Sequence, residues 1–446
     1  MIRHLKGPAQ SAAPTAATGA VGGADDHVAN VVTEIIDAVA ERGDEAVRHY
    51  SRTLDNWQPE HFRLSDDAIA AVIAQVPAQT RSDIAYAQTR VRAFAEAQLA
   101  SMSEIEVTAL PGVILGHRHL PVATVGAYVP GGRYPLLASA HMTILTAKVA
   151  GVPRVIACTP PDQGRLPAAT IAAMHLAGAD EIHILGGVQA IAALALGTAS
   201  IAPVDLIVGP GNAYVAEAKR RLYGRVGIDL IAGPSEILIV ADETADSFTV
   251  AVDLLSQAEH GPDSPAVLIT TSPELAVAVL REVAALLPTM PTRANAEPAW
   301  RDHGEVIVVD DIEQAYWLAN ERACEHVQIL TANPREALDR MTAYGALFLG
   351  RHTSVPYGDK VIGTNHVLPT RRAARYTGGL WVGRFLRTVT YQEVTDPQAS
   401  AALGEVCARL SRVESFEGHA RSGDLRHVGF DRSALAWAPA PPDPGS

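Results

Sequence analysis

Cysteine is scarce in this chain: Cys158, Cys324 and Cys407 are the only three in 446 residues. They are odd in number, widely spaced and without a C-x-x-C pair, which argues against a disulfide framework and a cysteine zinc cluster. Positive charge is also short, with 36 Lys plus Arg against 49 Asp plus Glu and a formal net charge of −13. No basic run exceeds Lys219-Arg220-Arg221, so a nucleic-acid partner is not expected. Hydrophobic residues make up 48% of the chain, yet Pro and Gly interrupt them everywhere. No stretch of about 18 apolar residues could span a bilayer. The opening Met1-Ile-Arg-His-Leu-Lys-Gly7 lacks an apolar signal core, and its Ala/Gly/Pro-rich continuation to Gly23 reads as a flexible lead-in. These absences together predict a cytoplasmic protein with no membrane partner. Two nucleotide fingerprints, G-x-G-x-x-G and G-x-x-x-x-G-K-[ST], are missing as well, so any dinucleotide must be held another way.

What is present is an ordered alternation of patterns in a chain long enough for two or three domains. Val28, Val31, Val32, Ile35, Ile36 and Val39, then Ile69, Val72 and Ile73, then Ile84 and Ala85 recur at helical spacing, predicting helix from Ala24 to about Gln98. After Pro121, short apolar runs at Val122–Val129, Arg154–Cys158, Glu181–Leu185 and Val204–Val208 alternate with helical stretches at 166–177, 188–196 and 212–222. A second series follows, with runs at 237–240, 265–269, 305–309, 327–330 and 346–349 and helices at 248–259, 275–287, 312–322 and 335–344. Such punctuation predicts parallel sheets covered by helices. From about Tyr391 the chain returns to helix before the Pro-rich end at Ala438–Pro444.

Three Gly-rich turns, Tyr128–Arg133, Gly186–Gln189 and Gly209–Asn212, each follow a predicted strand and precede a helix, where main-chain N–H groups can meet phosphate. Turning the chain is the plainer role for any one of them; three in one domain favour a cofactor. Gln257 and His260 stand three apart near a helix end and can share a metal, though a lone Q-x-x-H more often simply faces solvent. Further ligands would come from a distance, with Asp359 in Gly358-Asp-Lys360 and His419 as candidates. A nitrogen and oxygen donor set suits a divalent transition metal in substrate chemistry. Glu325-His326 sits at a helix-to-strand junction, where an acid and a base can reach into a cleft. His117, His119 and His141 have no partner spacing and read as structural.

Taken together, these segments resemble the histidinol dehydrogenase family from about Val28 to Arg426. The matching stretches are Gly126-Ala-Tyr-Val-Pro-Gly-Gly132, Val208-Gly-Pro-Gly-Asn212, Ala232-Gly-Pro-Ser-Glu236, Asp253–Asp263, Glu325-His326 and Gly363-Thr-Asn-His-Val-Leu-Pro-Thr370. The resemblance implies that Gln257, His260, Asp359 and His419 bind one zinc, His419 arriving on the swapped tail of a partner subunit in a homodimer. It also implies that Tyr128, Gln189 and Asn212 contact NAD, that Ser235 and Glu414 lie at the substrate with the metal ligands and His326, and that Glu325 and His326 are catalytic. The implied reaction is oxidation of a primary alcohol to a carboxylate with two NAD in succession. His326 would take the hydroxyl proton, and Glu325 would activate water at the aldehyde. The implied fold is α/β, with two incomplete Rossmann-like parallel-sheet units, one inserted in the other. Its expected parts are the lead-in 1–23, a first domain of 24–120 and 235–378 carrying metal and catalytic residues, an NAD-binding domain of 121–234, and a swapped C-terminal helical segment of 379–446.

Departures from the family pattern bear on the substrate. Cys324 and Val327 flank the Glu-His pair where Pro and Leu are typical. Arg133-Tyr134 replace small residues, Lys360 follows Asp359 where an aromatic is common, and Arg371-Arg372 follow Thr370. With Ala138-Ser-Ala-His-Met142, Val361-Ile362 and Phe416-Glu-Gly-His419, this is similar to the sulfopropanediol 3-dehydrogenase branch, which oxidises 2,3-dihydroxypropane-1-sulfonate to sulfolactate. One of Lys360, Arg133, Arg371 and Arg372 would then pair with the anionic end. The alternatives are L-histidinol oxidation, another polar primary alcohol, and a non-catalytic ligand-sensing homologue.

Overall fold

The computed structural model describes residues 2–8, 24–131 and 135–439. The lead-in from 9 to 23, Arg133 and the extreme C-terminus from 440 onward lie outside the described residues. In chain order the strands are β1 (Arg3–Lys6), β2 (Ile105–Leu110), β3 (Val113–Pro121), β4 (Thr124–Tyr128), β5 (Arg154–Thr159), β6 (Glu181–Ile184) and β7 (Leu206–Val208). They continue with β8 (Gly227–Ile228), β9 (Ile237–Ala241), β10 (Ala266–Thr270), β11 (Gly304–Val308), β12 (His326–Leu330), β13 (Ala346–Leu349) and β14 (Leu386–Val394).

Two parallel sheets dominate. One has the order β6-β5-β4-β7-β8, the other β1-β11-β10-β9-β12-β13 with β1 antiparallel at its edge. Counted from the first parallel strand of each, both orders read 3-2-1-4-5. The central strands are apolar on both faces, as in Ile237-Leu-Ile-Val-Ala241, every residue of which is buried. Helices on both sides make such runs stable. The helix Ser247–Ala258 shows how: Asp246 caps it by accepting the Thr249 N–H at 2.9 Å, and Val250, Ala251, Leu254, Leu255 and Ala258 turn one stripe into the core. Burying each large aliphatic side chain contributes about 1.5–3 kcal/mol.

The chain forms two compact units, Met1–Leu99 with Pro121–Phe385, and Ala100–Leu120 with Leu386–Ser446. The second contains the sheet β14-β3-β2 and the helices Pro397–Val413 and Glu417–His427. Those helices touch main chain to main chain, since a Cβ at Gly404 would stand 2.5 Å from the Gly423 carbonyl oxygen. Among the described residues no helix is long and apolar enough to cross a membrane.

Several expected boundaries differ. Arg3–Lys6, placed in the lead-in, is a strand because it pairs with β11, and Lys6 Nζ donates to the Gly304 carbonyl at 2.5 Å. Residues 105–120, grouped with the first domain, are a β-hairpin of the second unit. Val32, Ile35, Val39, Ala46 and Val47 share a core with Ile191, Leu194, Val215 and Leu222. The N-terminal helices Ala24–Arg42 and Asp44–Asp55 therefore pack over the five-stranded sheet instead of joining 235–378. The helix expected at 335–344 is a single turn, Ala337–Arg340, because Asn320 Oδ1 takes the N–H groups of Thr342 and Ala343 at 2.8 and 3.1 Å. The tail stays extended to Val394, and helix begins only at Pro397.

Candidate active site

Chain reversal builds the site. The helix Ser247–Ala258 follows β9 and runs back beside it. Its 12 residues span about 18 Å, close to the roughly 17 Å of a five-residue strand. Gln257, in its last turn, therefore returns to the amino-terminal edge of the sheet and is buried there. His260 follows in a turn closed by its own N–H to the Gln257 carbonyl at 3.1 Å. Asp359 arrives in the same way after β13, on the short helix Val355–Lys360. Gly358 permits that approach, because a Cβ there would stand 2.7 Å from the Phe348 ring.

Glu325 and His326 enter the same edge at the start of β12. Neighbouring β9 and β12 are parallel, with His326 opposite Ile237, so the residues just before them, Glu325 and Glu236, are also neighbours. Glu325 is 6% and His326 3% exposed. His326 Nδ1 lies 3.0 Å from the Glu236 carbonyl oxygen. A carbonyl only accepts, so Nδ1 carries the proton and Nε2 keeps its lone pair. That Nε2 is buried without a hydrogen-bond partner and faces Asp359 Oδ1 at 3.8 Å. Burial holds the His326 imidazolium pKa below its ordinary value although Asp359 opposes this, so the ring is neutral near pH 7. Burial pushes Glu325 the other way, well above the usual carboxyl range, with Glu236 and Asp359 adding like charge.

Asp359 gathers imidazoles: His260 Nε2 lies 4.0 Å from Oδ2, and His326 Nε2 and His366 Nδ1 each lie 3.8 Å from Oδ1. Burial alone would raise its pKa, but His366, His326, Lys360 and His260 hold it below the ordinary value. Among the described residues no three His, Cys, Asp or Glu side chains are arranged to hold a metal. The His260 imidazole and the Asp359 carboxylate meet, and the Gln257 amide, whose Nε2 is buried without a hydrogen-bond partner, lies in the helix turn just before His260. An imidazole nitrogen, a carboxylate and an amide oxygen have the chemistry of a nitrogen and oxygen ligand set for a divalent transition metal. Ser235 is partly buried in the loop before Glu236, whereas Glu414 and His419 are exposed residues of the second unit.

The expected cofactor residues meet at the carboxyl ends of the five-stranded sheet. The strand order turns there from β4 toward β5 on one side and β7 on the other, where open α/β sheets leave a crevice. Tyr128 Oη accepts the Gly187 N–H at 3.1 Å, and burial pushes its phenol up to about 12. Gly209 has φ +115°, and a Cβ there would stand 2.0 Å from the Tyr128 carbonyl oxygen, so the loop after β7 presses on the end of β4. A buried pair, Lys219 with Asp229, braces that loop: Lys219 donates to the Gly209 carbonyl at 2.9 Å and Gly209 N–H to Asp229 at 2.7 Å. Asn212 Oδ1 caps the next helix by accepting the Val215 N–H at 3.1 Å. Gln189 is fully enclosed, its amide donating to Asp55 at 2.9 Å.

Two residues without an assigned role in the sequence prove central. Glu236 stood inside a quoted motif, and His366 likewise; its Nδ1 donates to the Asp359 carbonyl at 3.1 Å. His141, read as structural, is buried beside Gln88 Nε2 at 3.1 Å. Support for Gln257 lies one turn earlier, where Asp253 accepts from Gln328 Nε2 on β12 at 2.7 Å. Asp253→Ala removes one of the two acceptors of that amide, the Thr353 carbonyl at 3.2 Å being the other, and we expect a loss of about 1 kcal/mol in urea unfolding. An unchanged midpoint and slope would show that the pair does not brace the helix.

The histidinol dehydrogenase family model matches residues 22–427. The chain is 58% identical over 404 residues to a histidinol dehydrogenase homolog of Shouchella clausii (strain KSM-K16), covering 90% of this chain and 95% of the relative. It is 44% identical over 402 residues to the sulfopropanediol 3-dehydrogenase of Ruegeria pomeroyi (strain ATCC 700808 / DSM 15171 / DSS-3), covering 90% and 92%. The crystal structure of histidinol dehydrogenase from Elizabethkingia anophelis matches with a TM-score of 0.86 at 32% identity, covering 92% of this chain and 94% of that one. With Glu325, His326, Gln257, His260, Asp359 and every parallel strand of the two sheets inside the matched span, the chain belongs to the histidinol dehydrogenase family.

Proposed function

We propose that this protein is a zinc- and NAD-dependent dehydrogenase that oxidises 2,3-dihydroxypropane-1-sulfonate to sulfolactate in two hydride transfers. The observation that carries the chemistry is the neutral, buried His326, its unpartnered Nε2 turned toward Asp359. Gln257, His260 and Asp359 would hold the zinc, with His419 of a partner subunit as the fourth ligand. When bound, zinc fixes and polarises a substrate oxygen and NAD accepts hydride. His326 Nε2 takes the hydroxyl proton in the alcohol step. Glu325, once ionised, takes a proton from the water that attacks the aldehyde. Tyr128, Gln189 and Asn212 would contact NAD.

A shared site in a homodimer is supported by the tail itself. Leu403, Val406, Leu410 and Val413 form an exposed apolar stripe continued by Phe416, whose ring lies 5.2 Å from that of His419. A stripe of this kind beside a metal-ligating side chain fits burial against a second copy.

Among the basic residues, we assign the anionic end of the substrate to Arg371. Arg372 Nη2 is directed at Glu321, 3.9 Å away, and Lys360 and Arg371 are both exposed. Arg371 instead lies over the loop that carries Ser235, since a Cβ at Gly233 would stand 2.6 Å from its Nε. Arg371→Met is expected to raise KM for the sulfonate about 10–100-fold, the loss of a charge-assisted pair, and to leave KM for propane-1,2-diol within about twofold. Equal effects on both would sink the assignment.

L-Histidinol is the second reading, favoured by the retained Glu414, a carboxylate able to pair with a cationic amine. The test is NADH yield at completion from zinc-loaded enzyme given each substrate in parallel. About two NADH per sulfonate with histidinol nearly inert supports the sulfonate. Efficient histidinol turnover overturns it, and an inert protein that retains no zinc would mark a non-catalytic homologue.

A further inference from the structure

We infer that Glu236 is a positioning residue for the Glu325–His326 pair, holding both through three hydrogen bonds and facing Glu325 with a carboxyl of its own. Glu325 N–H donates to Glu236 Oε1 at 3.1 Å, and Glu236 N–H donates to Glu325 Oε2 at 3.0 Å. The two glutamates thus hold each other's main chain in a closed ring. The Glu236 carbonyl accepts the His326 Nδ1–H at 3.0 Å, which fixes the tautomer that leaves Nε2 free. One residue therefore sets the carboxyl of Glu325 and the ring orientation of His326.

The ring follows from register. β9 and β12 start side by side, His326 opposite Ile237, so each glutamate meets the other's amide as the strands begin. A second feature converges on Glu236. Arg371 and Arg372 are consecutive non-glycine residues at φ +52° and +65°, a conformation that costs roughly 1–3 kcal/mol per residue. This turn aims the Arg371 N–H at the Glu236 carboxylate. Backbone strain spent on one carboxylate is expected where its placement matters.

The consequence reaches the proton chemistry. Glu325 is faced by Glu236, which directly precedes β9, by its neighbours Cys324 and His326, and by Asp359 from the short helix after β13, while the charges of Arg371 and Arg322 act on Glu236. Two buried carboxyls this close titrate as a pair. Burial lifts Glu236 to about 7 despite the N–H groups of Glu325 and Arg371. When Glu236 is ionised, its charge resists ionisation of Glu325, so removing that charge makes Glu325 ionise at lower pH.

This inference rests on the reading that Glu325 deprotonates the attacking water, and three variants separate the two. Aldehyde oxidation by the zinc-loaded enzyme is followed against pH, and the carboxylic-acid C=O band of metal-free protein is titrated by infrared difference against Glu325→Gln. Glu236→Gln is expected to move both the acid limb of the rate and the midpoint of the band to lower pH by about one unit. Glu236→Asp keeps the charge but no longer reaches the Glu325 amide, so it should lower kcat at least about tenfold with the limb unmoved. Limb and band unmoved in Glu236→Gln, or a wild-type kcat in Glu236→Asp, would overturn the inference. If Glu236→Gln melts too early to assay, the Glu236→Asp result decides alone. Wild-type aldehyde oxidation by Glu325→Gln would overturn the underlying reading instead.

Discussion

Glu325→Gln stops the reaction at the aldehyde, lowering aldehyde oxidation by about 10²–10⁴-fold, whereas the first hydride transfer from the alcohol stays within about tenfold of wild type. His326→Asn reverses the pattern and loses the alcohol step by a similar factor. The asymmetry follows from the two environments. His326 is neutral in its resting form because burial disfavours the imidazolium, so it is ready to accept a proton without prior ionisation. Burial and the nearby Glu236 and Asp359 disfavour the Glu325 anion, so its fraction acting as a base grows as pH rises. The sign is thus opposite to that of an exposed carboxylate, which would be ionised throughout the neutral range. Lowering the pH should therefore make wild-type enzyme accumulate aldehyde before it stops consuming alcohol. Rapid-quench analysis of product ratios checks this, and an aldehyde yield independent of pH would refute the division of roles.

Co-expressed His419→Ala and Gln257→Ala subunits should recover about a quarter of wild-type activity, although each variant alone has almost none. The fraction is statistical: half of random dimers are mixed, and each mixed dimer has one intact and one doubly defective site. The structural ground is that Gln257, His260 and Asp359 all belong to the first unit, where His260 and Asp359 meet, while His419 sits exposed on the second beside an apolar stripe. Tagging the two subunits differently and purifying only mixed dimers should raise recovery to about half. Zinc content measured on the same fractions reports the site without reference to turnover. No recovery in either quantity would mean that sites are not completed across chains.

Much of the fold was legible along the chain. Apolar runs such as 237–240 and 327–330 became buried parallel strands, because strands covered on both faces cannot alternate polar and apolar residues. Gln257 and His260 stood out from their three-residue spacing near a helix end, although His260 lies in the turn just past Ala258. The hairpin at 105–121 was missed because β2 is exposed along its whole length and carries no buried periodicity. The N-terminal helices were grouped with the wrong sheet because an amphipathic stripe shows that a face is buried and not which surface buries it.

The sequence by itself determined the element types of the two parallel sheets, the placement of glycine turns after strands, and the residue chemistry available for proton transfer and metal binding. Tertiary structure alone decided which of those groups act together. Glu236 and Glu325 lie 89 residues apart, and nothing local in either segment signals the other. They meet because two parallel strands align in one register, and that alignment is set by packing across the whole sheet.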